Sequence, residues 1–186
     1  MNILTISLAI FAATILWLVT VYNKLINNRQ KVKEGWSGID VQLKRRVDVI
    51  PNLIETVKGY VKHEDKVLNE VVALRSNCQK TQNSSVQDRT QAESLLSGAL
   101  GKLLVTVEGY PDLKANQNFI ALQQNLVEIE NQIQMARRYY NGSVRDLNII
   151  IESFPNNIIA KNFGFKSEPY FEITNAAERE VVQVKF

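Results

Sequence analysis

Residues 119–155 read FIALQQNLVEIENQIQMARRYYNGSVRDLNIIIESFP. Within them Phe119, Leu122, Leu126, Ile129, Ile133, Ala136, Tyr140, Ser143, Leu147, Ile150 and Phe154 recur in alternating steps of three and four. A strand would repeat its buried side every second residue. A period near 3.5 residues instead lays one stripe along a helix that packs against a partner. The stripe stops at Pro155, which has no amide hydrogen to continue the ladder. A helix this long and this regularly striped predicts an all-α fold.

A second stripe lies upstream. It runs Val32, Trp36, Ile39, Leu43, Arg46, Ile50, Leu53, Val57, Tyr60, Glu64, Val67, Val71, Leu74 and Cys78, and only Arg46 and Glu64 interrupt its apolar character. The register passes Pro51 without a slip, which predicts one helix to about residue 80 with a kink at the proline. After the linker-like QKTQNSSVQD (79–88), a shorter helix is expected over Arg89–Glu108. Leu96, Ala99, Leu103 and Val107 would form its inner face, and Gly109, Tyr110 and Pro111 would close it. From Asn156 the apolar spacing turns irregular, predicting a short helix and then extended chain on the bundle.

Arg46 and Glu64 need partners, because an uncompensated buried charge costs several kcal/mol; otherwise their long side chains reach solvent at the seam's edge. If the first helix rises unbroken, Glu64 falls near Lys114 and Asn118, and Arg46 lies below the level the later helices reach. The row Trp36, Ile39 and Leu43 would then be covered by the C-terminal tail or by another chain.

Ile3–Tyr22 contains no charged side chain over 20 residues. At about 1.5 Å per residue it reaches about 30 Å, the thickness of a bilayer's hydrocarbon core. Only Met1 and Asn2 precede it and no small-x-small cleavage pattern follows it, so an uncleaved anchor is expected rather than a signal peptide. Lys24, Arg29, Lys31 and Lys33 follow the run. That bias predicts a single pass with the N-terminus outside and the body in the cytoplasm. The lysines would meet anionic headgroups.

The chain has 186 residues and a net charge of +3. No basic patch interleaved with aromatics appears downstream, so nucleic acid is not an expected partner. Glycine-rich phosphate loops and paired catalytic carboxylates are absent from the sequence. His63-Glu64-Asp65 lacks a second ligand one turn on, where Val67 stands. Cys78 ends an apolar row and reads as a small core residue, and Lys44-Arg45-Arg46 beside Asp40 and Asp48 as a partly paired helix face. Asn52, Asn118, Asn131, Asn141 and Asn148 lie beside the stripes and read as residues that fix register, or that line a ligand groove.

GWSGIDVQLKRRVDVIPNLIETVKGYVKHE (35–64) and YPDLKANQNF (110–119), then Glu130-Asn131, Tyr140-Asn141, Phe154-Pro155, Gly164-Phe165 and Phe171-Glu172, resemble the LemA family of bacterial membrane proteins. The likeness covers nearly the whole chain. It implies one N-terminal anchor and an antiparallel helical bundle, and it supplies no catalytic residues. The chain departs from the pattern at Leu147-Asn148, where relatives often carry Tyr-Asn.

The expected architecture is therefore a transmembrane helix (3–22), an antiparallel up-and-down bundle (24–155) and a short irregular tail (156–186). The expected function is a membrane-anchored scaffold or adaptor, not an enzyme, with no cofactor or metal. Its partners would be the bilayer and other proteins or a second copy of itself. A ligand-binding sensor and an enzyme with an unrecognised site are the alternatives. Trp36, Ile39, Leu43, Arg46, Asn118, Asn131 and Asn141 are the candidate partner or ligand surface.

Overall fold

A computed structural model describes residues 2–61 and 64–172. Among them there are only helices: α1 (Ile3–Lys58), α2 (Asp65–Lys80), α3 (Val86–Val107), α4 (Pro111–Lys114), α5 (Gln117–Glu152) and α6 (Asn156–Asn162). The fold is all-α. The described residues divide into two compact units: one comprises Ala136–Tyr170 with residues 2–38, the other Ile39–Met135 with residues 171–172.

The first stripe does not lie on one helix. Pro51 sits inside α1, but the helix ends at Lys58, and the amides of Tyr60 and Val61 both turn back to the Val57 carbonyl. Gly59 stands at the break, where the residue's backbone entropy disfavours a helix. Asp65 opens α2 in its first turn, where a carboxylate suits the positive end of the helix dipole. Apolar spacing hid the break because the stripe carries on into α2, where Val71 and Cys78 are buried and Val67 and Leu74 partly so, with Leu68 joining them. Further on, Ser85 Oγ accepts the Asp88 amide at 3.1 Å, so α3 starts at Val86 rather than Arg89.

In the unit built on Ile39–Met135, one core joins Val47, Ile50, Leu53 and Val57 of α1 to Leu68, Val71 and Cys78 of α2. It continues through Leu96, Ala99, Leu103 and Val107 of α3 and Phe119 and Leu126 of α5. The inner face expected of α3 is thus its buried face. Tyr60 meets the turn before α5, its hydroxyl accepting from Asn116 Nδ2 at 2.9 Å. Glu64 stands half-buried ahead of α2 as its N-cap residue, rather than within a first helix as expected.

In the other unit, Gly35 lets α1 approach α5 closely: a Cβ there would lie 2.9 Å from the Tyr140 Cα. Trp36 and Tyr140 stack beside it with ring centroids 5.5 Å apart. The α5 stripe is otherwise buried or half-buried down to Ile150, but Phe154 is 79 % exposed. Helix α5 ends at Glu152, so Phe154 no longer follows the helical period. A Schellman turn closes α6: the Phe165 amide bonds to the Ala160 carbonyl at 2.9 Å, the Gly164 amide to Lys161 at 3.3 Å, and Gly164 has φ +72°. The extended chain that follows is pinned to α5. Tyr140 Oη donates to the Pro169 carbonyl at 2.9 Å, while Asn148 donates to the Glu168 carbonyl and accepts the Glu168 amide at 3.0 and 2.9 Å.

Candidate functional site

The densest polar constellation lies in the Ile39–Met135 unit, around Arg46. The side chain is 2 % exposed and occupies a stripe position on α1, so it points inward. Its Nη1 donates to Ser97 Oγ at 2.6 Å on α3 and to Glu130 Oε2 at 2.9 Å on α5. Its Nη2 donates to the Glu93 carboxylate and to the Glu93 carbonyl at 3.3 Å. One guanidinium therefore ties three helices together. Arg89, also buried, pairs with Asp40 and donates to the Gln82 carbonyl at 3.1 Å. Asp40 is thus committed to α3 rather than to a basic neighbour one turn along α1.

This network corrects the level assigned to Arg46. With α1 ending at Lys58, α2 and α3 double back, and α3 reaches the first helix at Asp40 and Arg46. Sequence reasoning missed Arg89 and Glu93, yet the signal was there. Stepping back from Leu96 by three or four lands on Glu93 and Ala92, then on Arg89.

Cys78 lies close enough to feel these charges. Its thiol is pushed up to about 12, first by burial and then by the Glu93 carboxylate. A thiol held protonated is a poor nucleophile. Tyr140 is pushed up to about 12 by burial and the charge of Glu168. Both shifts favour the uncharged, unreactive form. Among the described residues no cluster of metal-ligating side chains forms. His63, weighed as a ligand, lies outside them.

The seven residues expected to form a partner or ligand surface differ widely in exposure. Ile39 is 0 % and Leu43 1 % exposed, so this chain itself covers them. They are buried, as Arg46 is, on the stretch of α1 where α3 meets Asp40 and Arg46. Trp36 is half-buried against Tyr140, and Asn141 is half-buried with a partner of its own. Asn118 is exposed, its amide bonded to Asn116 Oδ1 at 2.9 Å. Asn131 is exposed and lines a shallow groove with Gln123, Gln124, Val127 and Glu128. All five lining residues stand on α5, so the groove is an open helix face and not an internal cavity.

A long helix with an exposed apolar head, and a helical body tied together by a buried arginine network, define an all-α protein with a candidate membrane span. The chain belongs to the LemA family, whose pattern it matches over residues 35–186. It is 27 % identical over 165 residues to Protein LemA of Metamycoplasma hominis, covering 87 % of this chain and 72 % of that one. It is 23 % identical over 206 residues to Magnetosome protein MamQ 2 of Paramagnetospirillum magneticum, with 98 % and 75 % coverage. Magnetosome protein MamQ of Magnetospirillum gryphiswaldense is 22 % identical over 203 residues, with 96 % and 75 % coverage.

Proposed function

We propose that this protein is a single-pass membrane scaffold without catalytic activity, whose helical body contacts other proteins. The observation that carries the reading is α1. It begins as a long apolar helix with none of its most apolar stretch buried in the protein, and it continues into the folded body without interruption. The segment is long and apolar enough to cross a bilayer. Lys24, Arg29, Lys31 and Lys33 favour an N-terminus outside and a cytoplasmic body.

The contact face is best assigned to the exposed side of α5 around Val127 and Asn131. Val127 is 54 % exposed there among three amide side chains and the Glu128 carboxylate, which suits a neighbouring helix from a partner or from a second copy. In-cell photo-crosslinking from Val127 and Asn131 tests this. Adducts with other polypeptides, or with another copy, are the expected result. Exclusively intramolecular products from both positions contradict the reading. Cysteine accessibility from each side of the membrane, probed at Lys31, checks the orientation.

A further inference from the structure

We infer that the exposed apolar rim around α6 is a second membrane contact, a collar that seats on an anionic lipid surface where α1 leaves it. The inference rests on reading Ile3–Tyr22 as a membrane span. Residues 3–20 of α1 are exposed, and burial begins at Val21. The folded body therefore starts at the span's last turn, which is where hydrocarbon gives way to headgroups. What packs there lies at the same level. Phe163 packs on Tyr22 with ring centroids 5.0 Å apart, and Phe165 lies 6.0 Å from the same ring. Phe165 in turn carries the Arg29 guanidinium 5.0 Å from its centroid.

The segment held at that level turns large apolar side chains outward. Phe154 is 79 %, Ile158 54 % and Phe163 62 % exposed, three within ten residues, while Ile159, Ala160 and Phe165 face inward. Scattered surface apolars are ordinary. A cluster fastened to the emerging end of a span continues the span's own lipid-facing surface. The charge pattern suits the same occupant. Residues 3–33 and 153–167 contain Lys24, Arg29, Lys31, Lys33, Lys161 and Lys166 and no carboxylate. Lys24, Lys161 and Lys166 are exposed. Apolar side chains between lysines are what an interfacial segment needs to enter the headgroup layer while its cations stay beside phosphates.

The test uses the full chain in phosphatidylcholine vesicles, with and without phosphatidylglycerol. Fluorophores are placed on the single variants L8C, F154C, I158C and K33C and quenched by lipids carrying a nitroxide high on the acyl chain. The native Cys78 is buried and stays unlabelled. Lys33 stands about 16 Å further along α1 than Tyr22 and is the unquenched reference. The expected result is quenching at positions 8, 154 and 158 several-fold above that at 33, rising at 154 and 158 with phosphatidylglycerol. Quenching at 8 with 154 and 158 no different from 33 overturns the collar and leaves the span intact. Failure at position 8 overturns the span reading and the collar with it. A signal at 154 and 158 indifferent to phosphatidylglycerol overturns the role of the lysines.

Discussion

Truncating Glu93 to alanine removes the carboxylate that neutralises Arg46 in a site where both side chains are nearly fully enclosed. Glu130 remains at 2.9 Å but is 40 % exposed, so water screens what it can offer. Breaking a buried pair by removing one partner costs about 3–5 kcal/mol. The screened Glu130 contact argues for the lower half of that range. With a urea dependence of about 2 kcal/mol per molar, the unfolding midpoint should fall by about 1.5–2 M. Helical circular dichroism of the full chain in mild detergent reads it. The double variant Arg46→Met with Glu93→Leu replaces the pair by apolar groups of similar length. It should recover most of the loss, because the desolvation penalty disappears with the charges. Ser97 retains a backbone carbonyl one turn back for its hydroxyl. A midpoint unchanged in Glu93→Ala would falsify the claim that the pair is enclosed. A double variant as unstable as the single one would show that something other than an orphaned cation causes the loss.

Four further outcomes follow from the same geometry. Gly35→Ala should destabilise by about 1–3 kcal/mol despite alanine's better helix propensity, because the new Cβ meets Tyr140 backbone; thermal unfolding measures it. Asn148→Ala breaks both bonds to Glu168 and should cost about 1–3 kcal/mol, seen first as faster proteolysis near residues 165–170. Cys78 should resist alkylation in the folded protein up to alkaline pH and react on unfolding. The thiol is raised from 9.0 to about 12 and Tyr140 from 10.0 to about 12. Below pH 9.0 both are protonated in either state, so stability is level there. Between 9.0 and about 12 the unfolded chain loses these protons first, and stability must fall with rising pH. The urea midpoint of Cys78→Ala should fall less steeply across that window than that of the parent protein.

The stripes named most of the core correctly because burial on a helix leaves a period that residue types reveal. Ile50, Leu53, Val57, Ile129, Ile133 and Leu147 are all buried. The same period concealed the break at Gly59, since α2 keeps the stripe's spacing and buries its Val71 and Cys78. That break is why Arg46 stands at a level α3 and α5 reach, and Ile39 and Leu43 are buried within this chain. Long-range pairing was not legible: nothing local links Arg46 to Glu93 or Asp40 to Arg89, which lie 47 and 49 residues apart and meet only once α2 has doubled back along α1. Phe154 was assigned inward because counting continued two residues beyond the end of α5. The asparagines divide accordingly: Asn148 proves to be a clamp on extended chain, while Asn131 lies open on α5.

From Ile3 to Glu34 helix α1 contains no glycine and no proline. Nothing in that stretch offers a joint between the lipid-facing turns and those gripped by Tyr140 and Phe165. A bilayer that thickens or thins therefore cannot be met by bending at a linker. On the proposed membrane-span reading, tilting of α1 to meet a change in bilayer thickness would carry the packed contacts of Tyr140 and Phe165 with it. Membrane thickness would thereby become a mechanical input to the folded body.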